Sequence, residues 1–314
     1  MQQNAAPLPA TTGLLSTTDA EPVTRFGLNG PLPAYDKRIT PARGDLADIG
    51  LAGKIFASSY VAAVPHHCVM ASAMLHKTAS QTAEAVSQLR LGDGFAVLEM
   101  AGGWCWGYCL DDGYCGYVEL SALARGTVAA THSVSARATL IFSEPDFKAP
   151  VVMRPAMGSQ LSIAGEEGAF SKCEHGYLPS HHLAAIGTAG EDIATIAETL
   201  IDAPYLWGGR GGDGLDCSGL VQLVLMLKGV TSPRDSDQQE AALGKALEED
   251  APLQRNDLVF FPHHVGIMLD GEHIIHANST AMCVSVDRLE DVVARPYTGG
   301  DNRPITARKR LTWA

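Results

Sequence analysis

The rhythm of apolar and polar positions changes twice along this chain. From Gly92, "GDGFAVLEMAGGWCWGYCLDDGYCGYVELSAL" reads as short β-rich runs broken by Gly-Gly, Asp-Asp-Gly and Cys-Gly, the pattern of a meander. A second copy follows. "GSQLSIAGEEGAFSKC" from Gly158 repeats the order glycine, strand, turn, aromatic, with Phe170 in the place of Trp104. Each copy returns through a Gly-Tyr pair, Gly116-Tyr117 and Gly176-Tyr177. Two small β-barrels in tandem are expected, over residues 64–125 and 126–188. At "EDIATIAETLIDAPYLWGG" the period becomes helical: Ile193, Ile196, Ala197 and Leu200 form one stripe, and Pro204 is expected to end it. A second helix starts at Asp216 or Cys217. Its apolar residues, Leu220 to Leu227, cover nearly all faces, so it belongs at the centre of a third domain, residues 189–314. Three consecutive strands follow, Leu258–Phe261, 265–269 and 273–277, with Asp270-Gly271 as a hairpin signal.

The remaining segments carry little regular pattern. Residues 1–30, rich in Ala, Thr and Pro, are expected to be a flexible tail, and residues 31–63 an ordered lead-in with one short helix near Asp45. The N-terminus has neither a basic start nor a sustained apolar run, so it reads as neither a signal peptide nor a membrane span, and a cytoplasmic protein is expected. The histidine-rich pieces "VPHHC" and "PSHHL" are expected to be solvated loops.

Composition narrows the function. With 46% apolar residues the chain is globular, and at net charge −12 it is a poor partner for nucleic acid or an anionic envelope polymer; no stretch is long enough to cross a bilayer, so no membrane partner is expected. Its seven cysteines are odd in number and irregularly spaced, which points to reduced thiols. Cys105, Cys109 and Cys115 lack a second paired Cys or His element, so half-buried strand thiols are expected there rather than a metal site.

The stretch "GGRGGDGLDCSGLVQLVLMLKG", residues 208–229, carries the candidate chemistry. A cysteine in the first turn of a buried helix meets unpaired N–H groups and a positive dipole end, which lower a thiol pKa and favour the nucleophilic thiolate. Glycines just upstream allow positive φ and close approach of backbone to a substrate. The competing reading is a Gly-rich connection with an inert thiol; the polar flanks Asp216 and Ser218 argue against it. A cysteine nucleophile needs a histidine base, oriented by a third polar group. His264 heads one predicted strand and His276 lies near the end of the next. A two-residue loop at Asp270-Gly271 puts their imidazoles on opposite faces. A three-residue loop through Glu272 puts His276 opposite Gly266, diagonal to His264 on one face, with room for an imidazole. The longer loop is expected, on functional grounds. A zinc site from Cys217, His264 and His276 is conceivable, but zinc does not call for a cysteine at a helix N-terminus. Neither metal nor cofactor is expected.

"PYLWGG", "DCSGLVQ", "SPRDSDQQ", "NDLVFF", "HHVGI" and "IIHA" occur in the order and spacing of the NlpC/p60 family of cysteine peptidases, and the likeness runs from about Ile193 onward. The β-rich repeats resemble, more loosely, bacterial SH3-like domains. The resemblance implies an α+β fold: a papain-like NlpC/p60 catalytic domain preceded by two small SH3-like β-barrels. It implies Cys217 as nucleophile, His264 as base and His276 as the residue that orients it, His263 being a neighbouring decoy. Tyr205 resembles the tyrosine near the reaction centre, where it assists the Cys217 amide in holding the oxyanion. Asp216 and Ser218 resemble positions that meet the substrate's amino end. Arg234 matches the arginine of the family's Pro-Arg element, a substrate-side position whose job is chiefly structural.

The full arrangement resembles γ-D-glutamyl-L-diamino acid endopeptidases, in which the first barrel narrows the groove. That implies hydrolysis of the γ-D-glutamyl–diamino acid bond in peptidoglycan stem peptides with a free N-terminal L-Ala, in muropeptide recycling. A wall-lytic hydrolase, or an acyltransferase or amidase on the same fold, is the alternative. Residues 31–63 have no place in that pattern, and both covering the groove and buttressing the barrels stay open.

Overall fold

The computed structural model describes residues 34–190, 192–211, 214–295 and 304–312. The tail expected over 1–30 lies outside the described residues. From Asp36 on, the described residues form one compact unit.

The first β-rich repeat is a seven-stranded antiparallel sheet. In spatial order its strands are Ala85–Arg90, Ser72–His76, Cys115–Glu119, Trp104–Cys109, Gly94–Ala101, Val64–Cys68 and Leu123–Arg125. Alternate side chains, among them Leu75, Leu89, Phe95, Val97 and Val118, close one apolar core that also takes Cys68, Cys105 and Cys109. The expected half-burial of the strand thiols is exceeded at Cys105 and Cys109, which are fully buried; Cys115 is partly exposed, and all seven cysteines are free.

The internal repeat is visible in the backbone. Gly92 and Gly158 hold φ of +85° and +86° at equivalent corners. Trp104 and Phe170 open the strands Trp104–Cys109 and Phe170–Cys173, and the Gly-Tyr pairs lie on the return strands, where Tyr117 faces Trp106 and Tyr177 faces Lys172. The second copy is split into a three-stranded sheet around His132–Val134 and a five-stranded sheet around Gly176–Pro179.

Three local expectations change. "VPHHC" is not a solvated loop but the strand Val64–Cys68, and its His66 is 4% exposed because its ring packs inward and its Nδ1 bonds the Val64 carbonyl at 2.9 Å. In "PSHHL", Ser180–His182 is a 3-10 turn and the His182 ring bonds Thr139 Oγ1 at 2.8 Å. The short helix expected near Asp45 is a strand, Leu46–Asp48, paired in parallel with Ser59–Val61, followed by a 3-10 turn capped by the Asp48 carboxylate. Leu46 supplies an apolar side chain to Leu98 and Trp106, and the Arg43 guanidinium sits 4.3 Å over the Trp106 ring, so the lead-in buttresses the first sheet.

Among the described residues the third part holds four helices: α1, Ile193–Glu198; α2, Cys217–Leu227; α3, Ser236–Ala242; and α4, Leu289–Val293. α1 stops at Glu198, well before Pro204, because Thr199 turns its hydroxyl back to the Ile196 carbonyl at 2.7 Å. Asp202 then takes φ +66° and gives its N–H to the neighbouring strand. A six-stranded antiparallel sheet follows the spatial order Lys245–Ala246, Ala307–Arg310, Leu258–Phe261, His264–Met268, His273–Asn278, Cys283–Arg288. Alternation splits the sheet between two cores. Leu258, Phe260, Val265 and Ile267 pack with α1 and α2, and Val259, Phe261, Met268 and Ile274 pack with α4.

Candidate active site

α2 begins where the sequence places it. Asp216 is its N-cap, with extended φ and ψ, and its carboxylate accepts the N–H of Gly219 at 2.7 Å. That carboxylate is fully occupied. It also takes the Gly208 N–H at 2.9 Å, a hydrogen from Ser218 Oγ at 3.3 Å, and Arg234 through Nη2 at 2.5 Å and Nη1 at 2.9 Å. Arg234 is 1% exposed, bonds Ser218 Oγ at 2.9 Å and reaches Ser87 of the first sheet at 3.2 Å. Asp216, Ser218 and Arg234 are therefore brought together as a buried frame beneath the thiol. The Asp216 carboxylate, expected to meet a substrate ammonium, accepts five hydrogen bonds from within the protein.

The glycines serve packing within the protein. Gly208 holds φ +80° and crosses the first sheet so closely that a Cβ would lie 3.1 Å from the Ala85 carbonyl oxygen. At Gly219, in the first turn of α2, a Cβ would come within 2.1 Å of the Gly209 carbonyl oxygen. The backbone freedom expected to admit a substrate instead lets the loop, the helix and the first sheet meet.

Cys217 is 6% exposed, and its sulfur lies 3.9 Å from the His263 carbonyl oxygen. Burial pushes the thiol up to about 12, with the Asp216 charge adding to it. The N–H groups of Val265 and Ser218 and the Arg234 charge pull the other way and are outweighed. The thiolate expected from the helix N-terminus is thus overruled by desolvation, and the resting group is a thiol.

The strand register is the one that brings the histidines together. Ile267 faces Ile275 and Met268 faces Ile274, Leu269 N–H bonds the His273 carbonyl at 2.8 Å, and the loop is the three residues 270–272. A Cβ at Gly266 would lie 3.1 Å from His276 Cβ and still closer to Ile274, so the glycine accommodates both. His264 Nε2 and His276 Nδ1 are 2.8 Å apart, and His276 Nε2 is 3.1 Å from Asp287 Oδ2. Arg295 Nη2 holds the same Asp287 oxygen at 2.5 Å. Burial, with help from His276 and Arg295, pushes His264 down to about 3, and burial also lowers His276 against the opposing pull of Asp287. Both rings rest neutral. Among the described residues no hydrogen bond joins the Cys217 sulfur to the His264 ring; the sulfur rests against the main chain on either side of it.

Tyr205 lies near Cys217 and is pushed up to about 12 by burial, with the charges of Cys217 and Asp216 adding. His263 takes φ +60°, which turns its carbonyl to the thiol. The thiol opens on a cavity of about 230 Å³. One wall is Val86 of the first sheet with Glu84 and Tyr114, which each directly precede one of its strands; another is Asp235 and Asp237 at the start of α3; Arg38 of the lead-in closes a side. A larger cavity of about 470 Å³ opens beside Arg137 and Arg154 in the second repeat, with none of the candidate catalytic side chains in its lining.

Asp287, Arg295, Tyr114, Glu84, Asp235 and Arg38 are absent from the sequence reading. Asp287 was findable: it alternates with Ser285 on the strand after His276. The others come from segments whose meeting no local pattern announces.

Residues 202–303 match the NlpC/P60 family, and residues 75–123 match the bacterial dipeptidyl-peptidase Sh3 domain. The chain thus carries an NlpC/P60 domain with a bacterial SH3 domain upstream. It is 34% identical over 116 residues to a gamma-D-glutamyl-L-lysine dipeptidyl-peptidase of Bacillus subtilis, covering 34% of this chain and 38% of that protein. It is 36% identical over 101 residues to dipeptidyl-peptidase 6 of Lysinibacillus sphaericus, covering 32% and 37%. The matched stretch thus spans little more than a third of either relative. An NlpC/P60 family protein from Bacillus cereus superposes with a TM-score of 0.66 at 18% identity, over 79% of this chain and 99% of that one, a likeness of fold. Among the described residues no helix is long and apolar enough to cross a membrane.

Proposed function

We propose that this protein hydrolyses the γ-D-glutamyl–diamino acid bond of peptidoglycan stem peptides whose N-terminal L-Ala is free. In this reading a first SH3-like domain spans 64–125, a second 126–188 and the catalytic domain 189–314. The observation that carries it is the wall of the Cys217 cavity: Glu84 and Tyr114, each directly before a strand of the upstream sheet, face Asp235, so the thiol opens on a short, carboxylate-rich pocket. A pocket of about 230 Å³ holds a small peptide end and excludes a sugar strand. Carboxylates at its rim favour a free ammonium. The ammonium-binding role passes from Asp216 to Glu84 and Asp235. Released muropeptides present such an end, and a cytoplasmic recycling role fits the seven free thiols.

Cys217 gives its proton to His264 Nδ1 as its sulfur attacks the γ-carbonyl carbon of D-Glu. The Cys217 N–H and the Tyr205 hydroxyl receive the negative oxygen. The C–N bond breaks, and His264 returns the proton to the leaving α-amine. Water then adds to the thioester with His264 as base, releasing the D-Glu carboxylate and restoring the thiol. The resting pair is neutral, so charge separates only as the substrate excludes water and the bond forms. Mass spectrometry of products from L-Ala-γ-D-Glu-diaminopimelate tests the assignment; release of L-Ala-D-Glu is expected, and an intact peptide contradicts it.

A further inference from the structure

The acidic end of the pocket holds a cation of the protein's own. All five N–H bonds of the Arg38 guanidinium are engaged, and by three carboxylates. Nε bonds Asp36 at 3.0 Å, Nη1 bonds Asp235 and Asp237 at 2.8 Å each, and Nη2 bonds Asp36 and Asp237 at 2.7 Å each. Gln238 braces Asp36 from α3 at 2.9 Å, and the Arg38 carbonyl accepts the Cys115 N–H at 2.6 Å. One residue thus joins the lead-in and the start of α3 through its side chain and the turn beside Tyr114 through its carbonyl, around a cavity that also contains Cys217.

We infer that Arg38 is a specificity-determining residue, a latch that closes the amino end of the substrate pocket and fixes Asp235 for an incoming ammonium; this rests on the reading of the site given above. Three features carry it. With every N–H used, Arg38 has none left to bind a substrate carboxylate, so it is a positioning residue. Its Nη1 and the Tyr114 hydroxyl, at 3.0 Å, both occupy Oδ2 of Asp235, and among the described residues no hydrogen bond reaches Oδ1, the oxygen left for a ligand. The carboxylates outnumber the guanidinium, so the closed end stays anionic and selects for a cation. An isolated exposed ion pair would do none of this. Here the contacts bridge segments about 200 residues apart, and the lead-in covers the groove at this point as well as buttressing the first sheet.

The test compares kcat/KM for L-Ala-γ-D-Glu-L-Lys with that for its N-acetyl analogue, in wild type, Arg38→Ala and Arg38→Lys. Arg38→Ala is expected to lower the free-to-blocked ratio roughly tenfold or more, chiefly through a raised KM for the free peptide, by loosening Asp235 and opening the end wall. Arg38→Lys recovers part of the ratio, since an ammonium has only three donors in a compact head. Asp237→Asn weakens the same latch from α3 and lowers the ratio in the same direction, which keeps the test open if Arg38→Ala folds poorly. An unchanged ratio in both Arg38→Ala and Asp237→Asn overturns the inference while the wild-type preference stands. A wild type that cleaves neither peptide overturns the functional reading, and the inference with it.

Discussion

His264 Nε2 stands 2.8 Å from His276 Nδ1, and this one contact assigns the protons of the whole site. Asp287 is held ionised by Arg295, because the guanidinium and His276 outweigh the opposing effect of burial. An ionised carboxylate only accepts, so His276 Nε2 carries a hydrogen and donates it. His276 Nδ1 is then a bare acceptor, and His264 Nε2 must be the donor. What remains is a lone pair on His264 Nδ1, the atom that can take the Cys217 proton. The charge of Asp287 thus sets a tautomer two hydrogen bonds away.

Asp287→Asn breaks that chain, because an amide can present its N–H to His276 and reverse both tautomers. We expect kcat to fall at least tenfold with KM nearly unchanged, and Asp287→Glu to recover part of the loss. Steady-state kinetics on the tripeptide checks this; a loss confined to KM would contradict it.

The two neutral histidines make stability sensitive to acid. His264 lies near 3 when folded and near 6.5 when free, so between those values the unfolded chain binds more protons and stability falls as pH drops. His276 shifts in the same direction. Unfolding free energies from urea titrations at pH 7 and pH 4.5 are expected to differ more for wild type than for His264→Gln, by about 1–3 kcal/mol. Equal differences would show that His264 is not held neutral by the fold.

The thiol shift predicts slow labelling. With Cys217 at about 12, its iodoacetamide reaction is expected to rise steadily with pH above neutrality, with no plateau between pH 5 and 8. Peptide mapping across pH reads this directly, with Cys115 and Cys283, the two partly exposed thiols, as internal comparisons. A flat, fast reaction at pH 6 would mean a resting thiolate–imidazolium pair instead. Cys217→Ser is expected to fold normally and to lose nearly all turnover, since a serine hydroxyl is a far poorer nucleophile.

Removing Arg234 leaves Asp216 as a buried charge without its partner. Arg234→Met is expected to cost about 3–5 kcal/mol and to disturb the start of α2. Denaturant unfolding measures it. Loss of activity with unchanged stability would instead indicate a direct role with substrate.

Much of this architecture is legible in the residues themselves. The period-2 runs and repeated Gly-Tyr returns mark the sheets, and the all-round apolar face of α2 marks the buried helix. The hairpin register is legible only on functional grounds, since the alternative separates the imidazoles; Gly266 then leaves room for one of them. Three things are not legible, and for different reasons. The Cys217 thiol is raised because burial outweighs the helix dipole, and burial depends on the first sheet lying over the groove. Asp216 carries the polar character of a binding residue, but only the fold shows that Arg234, more than a dozen residues on, saturates it. The Arg38 cluster joins remote segments through charged side chains, for which sequence period carries no signal.

The central claim is that the Cys217 pocket takes a free amino end and cuts after γ-D-glutamate. Mass spectrometry of wild-type digests of L-Ala-γ-D-Glu-L-Lys and of its N-acetylmuramoyl form, under identical conditions, tests it most directly. The account predicts release of L-Ala-D-Glu and lysine from the free peptide, about a hundredfold faster or more than cleavage of the muramoyl form. Equal rates on the two, or cleavage at any other bond, would contradict it.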